Sequence, residues 1–112
     1  MINSKKKWNK YELDVRKMYK SLGYNTETSR YANRKKDDEK VDLVNTWFVN
    51  VQCKHYKNLS VWKVVEVLKE MPRDEKLNIV HAKITNKWSV VILNEKDWIH
   101  LLELNKNLKW KK

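Results

Sequence analysis

The stretch VDLVNTWFVNVQCK, residues 41–54, decides the fold. It begins with one β-type run, Val41 to Val44, and continues into a second, Trp47 to His55, both rich in β-branched or aromatic residues. Asn45 and Thr46, between the runs, have turn character. The stretch therefore predicts two antiparallel strands joined as a hairpin.

The second run has one apolar and one polar face, because successive side chains of a strand point to opposite sides of a sheet. The predicted apolar set is Trp47, Val49, Val51 and Cys53, and the opposite set is Phe48, Asn50, Gln52 and Lys54. We expect the first face to lie in the core. The second face places the Gln52 amide beside the Lys54 ammonium.

Helical spacing flanks the hairpin on both sides. Apolar residues recur mostly at steps of three and four from Trp8 to Leu22, and Gly23 then offers a left-handed cap. Similar spacing runs from Val61 to Met71, between Ser60 as an N-cap and Pro72 as a stop signal. Each segment predicts an amphipathic helix with one face on a core.

Further strands and a last helix complete the predicted elements. Tyr24 to Ser29 is a weak β-type segment, and Leu77 to Ile84 and Trp88 to Leu93 are stronger ones. Asn94 with Asp97 resembles a capping pattern before a third helix.

The order of elements is α, β, β, β, α, β, β, α, which predicts an α/β fold with a central mixed β-sheet flanked by helices. The length favours a single domain over residues 1–112. Residues 1–7 and 105–112 are expected to be flexible basic tails, and Arg30 to Lys40 a solvated loop.

The charge indicates a polyanionic partner. The chain has 25 Lys and Arg against 14 Asp and Glu, a net charge of +11, with a pI near 9.7. Such a field attracts nucleic acid, although abundant lysine and asparagine also fit a genome rich in A and T. The apolar runs are shorter than the roughly 18 residues of a membrane-spanning helix, and no secretory signal is recognised. We expect a cytoplasmic protein, from a bacterial, archaeal or phage-infected cell, that does not use a membrane.

Three other kinds of chemistry are disfavoured. The single cysteine, Cys53, has no internal disulfide partner and follows an apolar alternation, so we expect a buried thiol. His55, His81 and His100 share no zinc-ligand spacing. A chain with one glycine has no glycine-rich phosphate loop.

Asp42 is the first candidate for a functional site, because a charge within an apolar run needs a partner or a metal. Mg²⁺ prefers oxygen ligands from one or two carboxylates, with water and phosphate completing the shell. Asp42 and the Gln52 carbonyl supply such oxygens, and Lys54 is suited to phosphodiester chemistry beside them. The alternative is a solvated polar face with an ordinary ion pair between Asp42 and Lys54.

Glu12 is a fourth candidate, because it lies at the edge of the apolar stripe of the first helix. Its alternative is a carboxylate that reaches solvent or pairs with Arg16 one turn later. The hairpin sets a condition on the site, since a two-residue turn would place Asp42 on the face opposite Gln52 and Lys54. We therefore predict a three-residue loop, Asn45 to Trp47, or a bulge that restores the register.

The order of these residues resembles the PD-(D/E)XK nuclease superfamily. It has a helix with Glu12, the aspartate of VDLV at Asp42, the motif VQCK with Gln52 and Lys54, and then a helix. The short chain, the helix ending in LGY and the arginines before the aspartate are most similar to archaeal-type and phage Holliday-junction resolvases. The likeness spans roughly Tyr11 to Met71, through short motifs.

The resemblance implies roles for four residues. Glu12, Asp42 and Gln52 are expected to bind Mg²⁺ or Mn²⁺, and Lys54 to assist catalysis. It also implies a restriction-endonuclease-like core and a homodimer that cuts a four-way DNA junction symmetrically. Two departures are Val41, where the motif has proline, and Gln52, where Asp or Glu is usual, although some branches carry Gln.

DNA contacts are expected from basic clusters near this site. The candidates are Lys5, Lys6, Lys7, Arg30, Arg34, Lys35, Lys36 and Lys57. These clusters are equally typical of solubilising surface. Among the tryptophans, the spacing assigns Trp8, Trp47, Trp88 and Trp98 to core or dimer positions and leaves Trp62 and Trp110 for base stacking.

Together these features predict a metal-dependent, structure-specific DNA endonuclease, with a Holliday-junction resolvase as the leading hypothesis. A restriction or repair nuclease of the same fold is one alternative. A basic nucleic-acid-binding module with an impaired site is the other, and Gln52 is the residue that favours it.

Overall fold

The computed structural model describes residues 4–29 and 40–107, with side chains for residues 10–29 and 40–106. The elements in these ranges are α1 (Ser4–Ser21), β1 (Glu27–Thr28), β2 (Leu43–Val44), β3 (Val49–Tyr56), α2 (Val61–Glu70), β4 (Leu77–Ile84), β5 (Ser89–Ile92) and α3 (Glu95–Asn107). The strands form one sheet in the order β1-β2-β3-β4-β5. β3 and β4 are parallel and the other neighbours antiparallel, so the predicted α/β class with a mixed sheet is confirmed.

Both faces of the central strands are covered, as expected for a parallel pair joined by a helix. On one face α1 and α3 pack over a core that includes Val15, Leu43 and Val51. On the other face α2 packs over a second core around Val64 and Val80. The sheet is therefore the middle of three layers, and a polar side chain on either face of β3 meets protein.

Local signals set the helix ends where the sequence predicts them. At the start of α2, the Ser60 hydroxyl accepts a hydrogen bond from the Lys63 amide at 3.4 Å. At the start of α3, the Asn94 side-chain oxygen accepts one from the Asp97 amide at 2.8 Å. Gly23, with φ of 101°, ends α1 in a conformation that glycine adopts without a Cβ clash.

The hairpin loop differs from the prediction. It comprises residues 45–48, because β3 begins at Val49 and not at Trp47. Asn45 and Trp47 have φ of 62° and 64°, which no strand residue adopts. Trp47 is 48% exposed, so its placement in the core was wrong, and Phe48 packs against the core under α1 and not on the polar face.

Several predicted segments lie partly outside the described residues. Residues 4–7 belong to α1 and residues 105–107 to α3, so these parts of the predicted tails are helical. The loop predicted at Arg30 to Lys40 lies outside, except for Lys40. None of the helices in the described ranges has the length and apolar composition needed to cross a membrane.

Candidate active site

The register of the hairpin brings Asp42 against β3. Leu43 lies opposite Val51, and the Asp42 amide also donates to the Val51 carbonyl, at 2.7 Å. Two residues of one strand therefore face one residue of the other, which is the arrangement of a β-bulge. A bulge was one of the two predicted ways to bring Asp42 back to the QxK segment.

The Asp42 carboxylate is fixed by the backbone of β3. Its Oδ2 atom accepts a hydrogen bond from the Cys53 amide at 2.7 Å, and the residue is 7% exposed. Cys53 stands between Gln52 and Lys54, so the carboxylate lies where the side chains of these two residues leave the strand. A charged acceptor makes this a strong hydrogen bond.

Ser29 supports the same segment from the other side. Its amide donates to the Asp42 carbonyl at 2.7 Å, and its hydroxyl donates to the Val41 carbonyl. The backbone of Asp42 is thereby held between Ser29 and Val51. Sequence reasoning missed Ser29, because a buried serine at the end of a weak strand has no distinctive pattern.

On the polar face of β3, Asn50 and Gln52 are buried and Lys54 is half-buried, so the alternative of a fully solvated face is wrong. Asn50 is 1% exposed and Gln52 is 3% exposed. Asn50 donates to Asn78 at 2.8 Å and to Asp74 at 3.1 Å, so its amide is bonded to β4 and to the connection between α2 and β4. Burial of polar groups on this scale requires partners of this kind.

Gln52 is the exception on that face. Its Oε1 atom is buried and has no hydrogen-bond partner among the described residues. A buried carbonyl oxygen without a donor costs free energy, unless a ligand or ion completes it. Among the described candidate ligands, only Gln52 has a buried oxygen without a hydrogen-bond partner.

Glu12 is buried as well, at 5% exposure, on the α1 side of β3. The alternative that it reaches solvent is wrong, and Arg16 instead donates to Glu27 at 2.9 Å. That contact, together with the charges of Arg16 and Lys20, lowers the pKa of the Glu27 carboxyl.

The charged side chains of Asp42, Glu12 and Lys54 all affect the pKa of the Cys53 thiol. Burial raises the pKa of this thiol well above its usual range, and the carboxylates of Asp42 and Glu12 raise it further. The Lys54 ammonium has the opposite effect. Asp42, Glu12 and Lys54 are therefore close enough to Cys53 to affect its thiol, which is in its protonated, unreactive form.

The candidate residues carry oxygen donors of the kind that a divalent cation takes. The available oxygens are those of Asp42, Glu12 and Gln52, and Mg²⁺ commonly uses one or two carboxylates besides water and substrate phosphate. The described residues contain no group of three or more His, Cys, Asp or Glu side chains placed to hold a metal. Gln52 is the further oxygen donor among the candidate residues, through its buried amide oxygen.

A second buried cluster lies beside the thiol. His81 is opposite Cys53 in the β3–β4 register, and its Nε2 atom and the Tyr19 hydroxyl share a hydrogen bond of 2.9 Å. Burial lowers the pKa of His81 to about 4, and burial with nearby charge raises the pKa of Tyr11 to about 12 and that of Tyr19 further. These groups are neutral near pH 7 and pack the base of the site.

Of the predicted DNA contacts, Lys57 is exposed directly after β3. The side chains of Lys5, Lys6 and Lys7, and all of Arg30, Arg34, Lys35 and Lys36, lie outside the described residues.

Comparison with family models, with curated proteins and with solved structures gave no match. The resemblance to the PD-(D/E)XK nucleases therefore stays a prediction from short motifs.

Proposed function

We propose that the chain is a Mg²⁺- or Mn²⁺-dependent DNA endonuclease with a restriction-endonuclease-like core. Glu12, Asp42 and Gln52 hold the metal, and Lys54 acts on the substrate phosphate. The observation that carries this proposal is the hydrogen bond from the Cys53 amide to the Asp42 carboxylate, between Gln52 and Lys54. It joins the two motifs that a PD-(D/E)XK site requires.

When bound, the divalent cation polarises the scissile phosphodiester and activates the attacking water. The chain's own residues supply position and charge. Lys54 donates a hydrogen bond from Nζ to a phosphoryl oxygen and offsets the negative charge that develops there. Asp42 cannot swing away, because both its main chain and its carboxylate are bonded. Burial of Glu12 and Gln52 excludes water and strengthens these interactions.

The proposed substrate is DNA, and within this class a four-way junction cut by a homodimer. The net charge of +11 supports a polyanionic substrate. The dimer is supported by exposed apolar side chains that line one cavity, of which Leu22 is 69%, Trp47 48% and Trp98 47% exposed.

The test is cleavage of a labelled four-way junction, a linear duplex and a single strand, each with Mg²⁺, with Mn²⁺ and with EDTA. Symmetric metal-dependent cutting of the junction supports the resolvase proposal. Cutting of plain duplex indicates a restriction or repair nuclease instead. Tight binding with no cleavage under any condition refutes the nuclease.

Lys54→Ala gives a sharper test of the site. We expect cleavage to fall by at least about 100-fold, while junction affinity in EDTA changes by less than about threefold. Lys96→Ala, at an exposed position in α3, is the matched control and leaves both unchanged. Full activity of Lys54→Ala would refute the role assigned to the ammonium.

A binding module with an impaired site is the second candidate, and Gln52 is the observation that favours it. A neutral amide in place of a carboxylate weakens metal affinity. Under this hypothesis the chain binds branched DNA, and Lys54→Ala has no activity to remove.

A further inference from the structure

Two chain connections leave the sheet side by side just beyond the proposed site. They are the segment from β3 to α2 and the turn from β4 to β5, joined by hydrogen bonds from the Thr85 amide and hydroxyl to the Tyr56 carbonyl, at 2.9 and 3.2 Å. Between them lies an open cavity of about 540 Å³, lined by Asn58, Leu59, Ile84, Lys87 and Trp88.

One tryptophan lines this cavity, and a second follows the β3–α2 connection in the chain. Trp88 is 83% exposed and Trp62, in the first turn of α2, is 70% exposed. A core position for Trp88, one of its two predicted placements, is therefore wrong. We call the group Lys57, Leu59, Trp62, Lys87 and Trp88 the tryptophan surface. Exposed aromatic side chains next to a cavity are typical of binding sites.

The two chain segments that carry the tryptophan surface contain basic but no acidic residues, and Glu66, one turn after Trp62, pairs with Lys69 at 3.9 Å. Residues 54–65 and 77–94 contain no Asp or Glu. They contain five lysines, namely Lys54, Lys57, Lys63, Lys83 and Lys87. Lys69 already lies over the Trp62 ring, 5.8 Å from its centroid, so Trp88 offers the freer ring. The matching occupant is a polyanion that carries flat apolar groups.

We propose that the tryptophan surface binds unpaired bases of a DNA strand, with Trp88 as the main stacking ring and Lys57 and Lys87 as phosphate contacts. Paired bases in a duplex are already stacked and present no face to an indole, whereas an unpaired base does. Lys57 follows Lys54 by three residues, or about 10 Å of extended chain. The tryptophan surface thus selects DNA with unpaired bases beside the cleavage site. The existence of that cleavage site rests on the proposed function.

The test measures binding alone, so it does not depend on cleavage. Fluorescence anisotropy in EDTA is recorded with a labelled 12-nucleotide oligothymidylate and with a blunt hairpin duplex. Trp88→Leu keeps an apolar side chain but removes the ring, and it should weaken single-strand binding by about tenfold with less than a twofold effect on the duplex. Trp88→Phe should recover most of the loss.

Two further variants complete the experiment. Lys57→Ala with Lys87→Ala should weaken both DNAs and reduce the salt dependence of binding. Leu13→Ala, which trims an apolar side chain that is 41% exposed on α1, should change neither. Equal weakening of both DNAs by Trp88→Leu, no weakening, or no binding of the oligothymidylate by the unaltered protein would each overturn the stacking role. Selective binding without cleavage would refute the nuclease and leave this surface standing.

Discussion

At the scale of single residues, Gln52 decides between the two functions proposed. Its buried Oε1 atom lacks a partner in the described part of the chain, so the folded state bears a desolvation cost. Replacing Gln52 with Met removes that cost together with the ligand oxygen, whereas Gln52→Glu adds the charge that the metal prefers.

We therefore predict opposite responses to Mg²⁺ in thermal unfolding. Gln52→Met should be at least as stable as the unaltered protein without metal and should lose any rise of Tm with Mg²⁺. Gln52→Glu should be less stable without metal and should show a larger rise of Tm, because a ligand that binds only the folded state stabilises it. Equal Mg²⁺ responses in all three proteins would remove Gln52 from the metal site.

The buried His81 is expected to destabilise the folded protein at acid pH. Its pKa is lowered to about 4 by burial, whereas a histidine in an unfolded chain has a pKa near 6.5. The folded state thus binds fewer protons than the unfolded state between these values. The contribution of His81 to the free energy of unfolding is therefore fully present above about pH 6.5. It is lost as the pH falls, by about 3 kcal/mol at pH 4.

The check is urea unfolding at several pH values between 4 and 7. His81→Gln should flatten the curve over this range, although losing the present contact with Tyr19 lowers its stability at pH 7. His100→Gln, at an exposed histidine of α3, serves as the control. An unaltered slope in His81→Gln would assign the acid sensitivity to other groups.

The sequence predicts some of these residues and not others, for a physical reason. Strand alternation places Gln52 and Lys54 together, and helical spacing turns Glu12 inward. The contacts of Asp42 with Ser29 and Cys53 lie at the bulge, and the hydrogen bonds of Asn50 reach Asp74 and Asn78. These are long-range contacts that no local pattern encodes.

At the scale of elements, boundaries marked by caps or by proline are predicted well. β4 lies at Leu77–Ile84 as expected, and α2 ends one residue before the predicted Met71. The predicted start of β3 at Trp47 is wrong, because Trp47 has high strand propensity but lies in a turn with positive φ. Tertiary packing overrides propensity at this point.

The reactivity of the Cys53 thiol reports how well β3 is packed. Cys53 is fully buried and burial raises its pKa, so we expect iodoacetamide at pH 8 to modify the folded protein at least about 100-fold more slowly than the urea-unfolded chain. Asp42→Ala leaves the Cys53 amide without its acceptor and should speed the modification about tenfold. Equally fast reaction of folded and unfolded protein would contradict the packing of β3.

At the scale of the whole molecule, the proposed dimer and the proposed DNA complex make opposite demands on charge. Each copy carries a net charge of +11, so self-association brings like charges together, and salt screens that repulsion. DNA binding releases counterions and weakens with salt. The dimer has to rely on an apolar contact, and a cavity of about 400 Å³ lined by residues that include Leu22, Trp47 and Trp98 provides one.

We therefore predict that sedimentation equilibrium finds a tighter dimer at 300 mM than at 50 mM salt, while junction affinity falls over the same range. Leu22→Glu should give the mass of one chain and convert paired junction incisions into single nicks, since two sites no longer act in one complex. Leu13→Glu makes the same charge change at a residue of α1 that does not line this cavity, and it should remain dimeric. A dimer that dissociates with rising salt would indicate an interface held by ion pairs, and a different surface would then be needed.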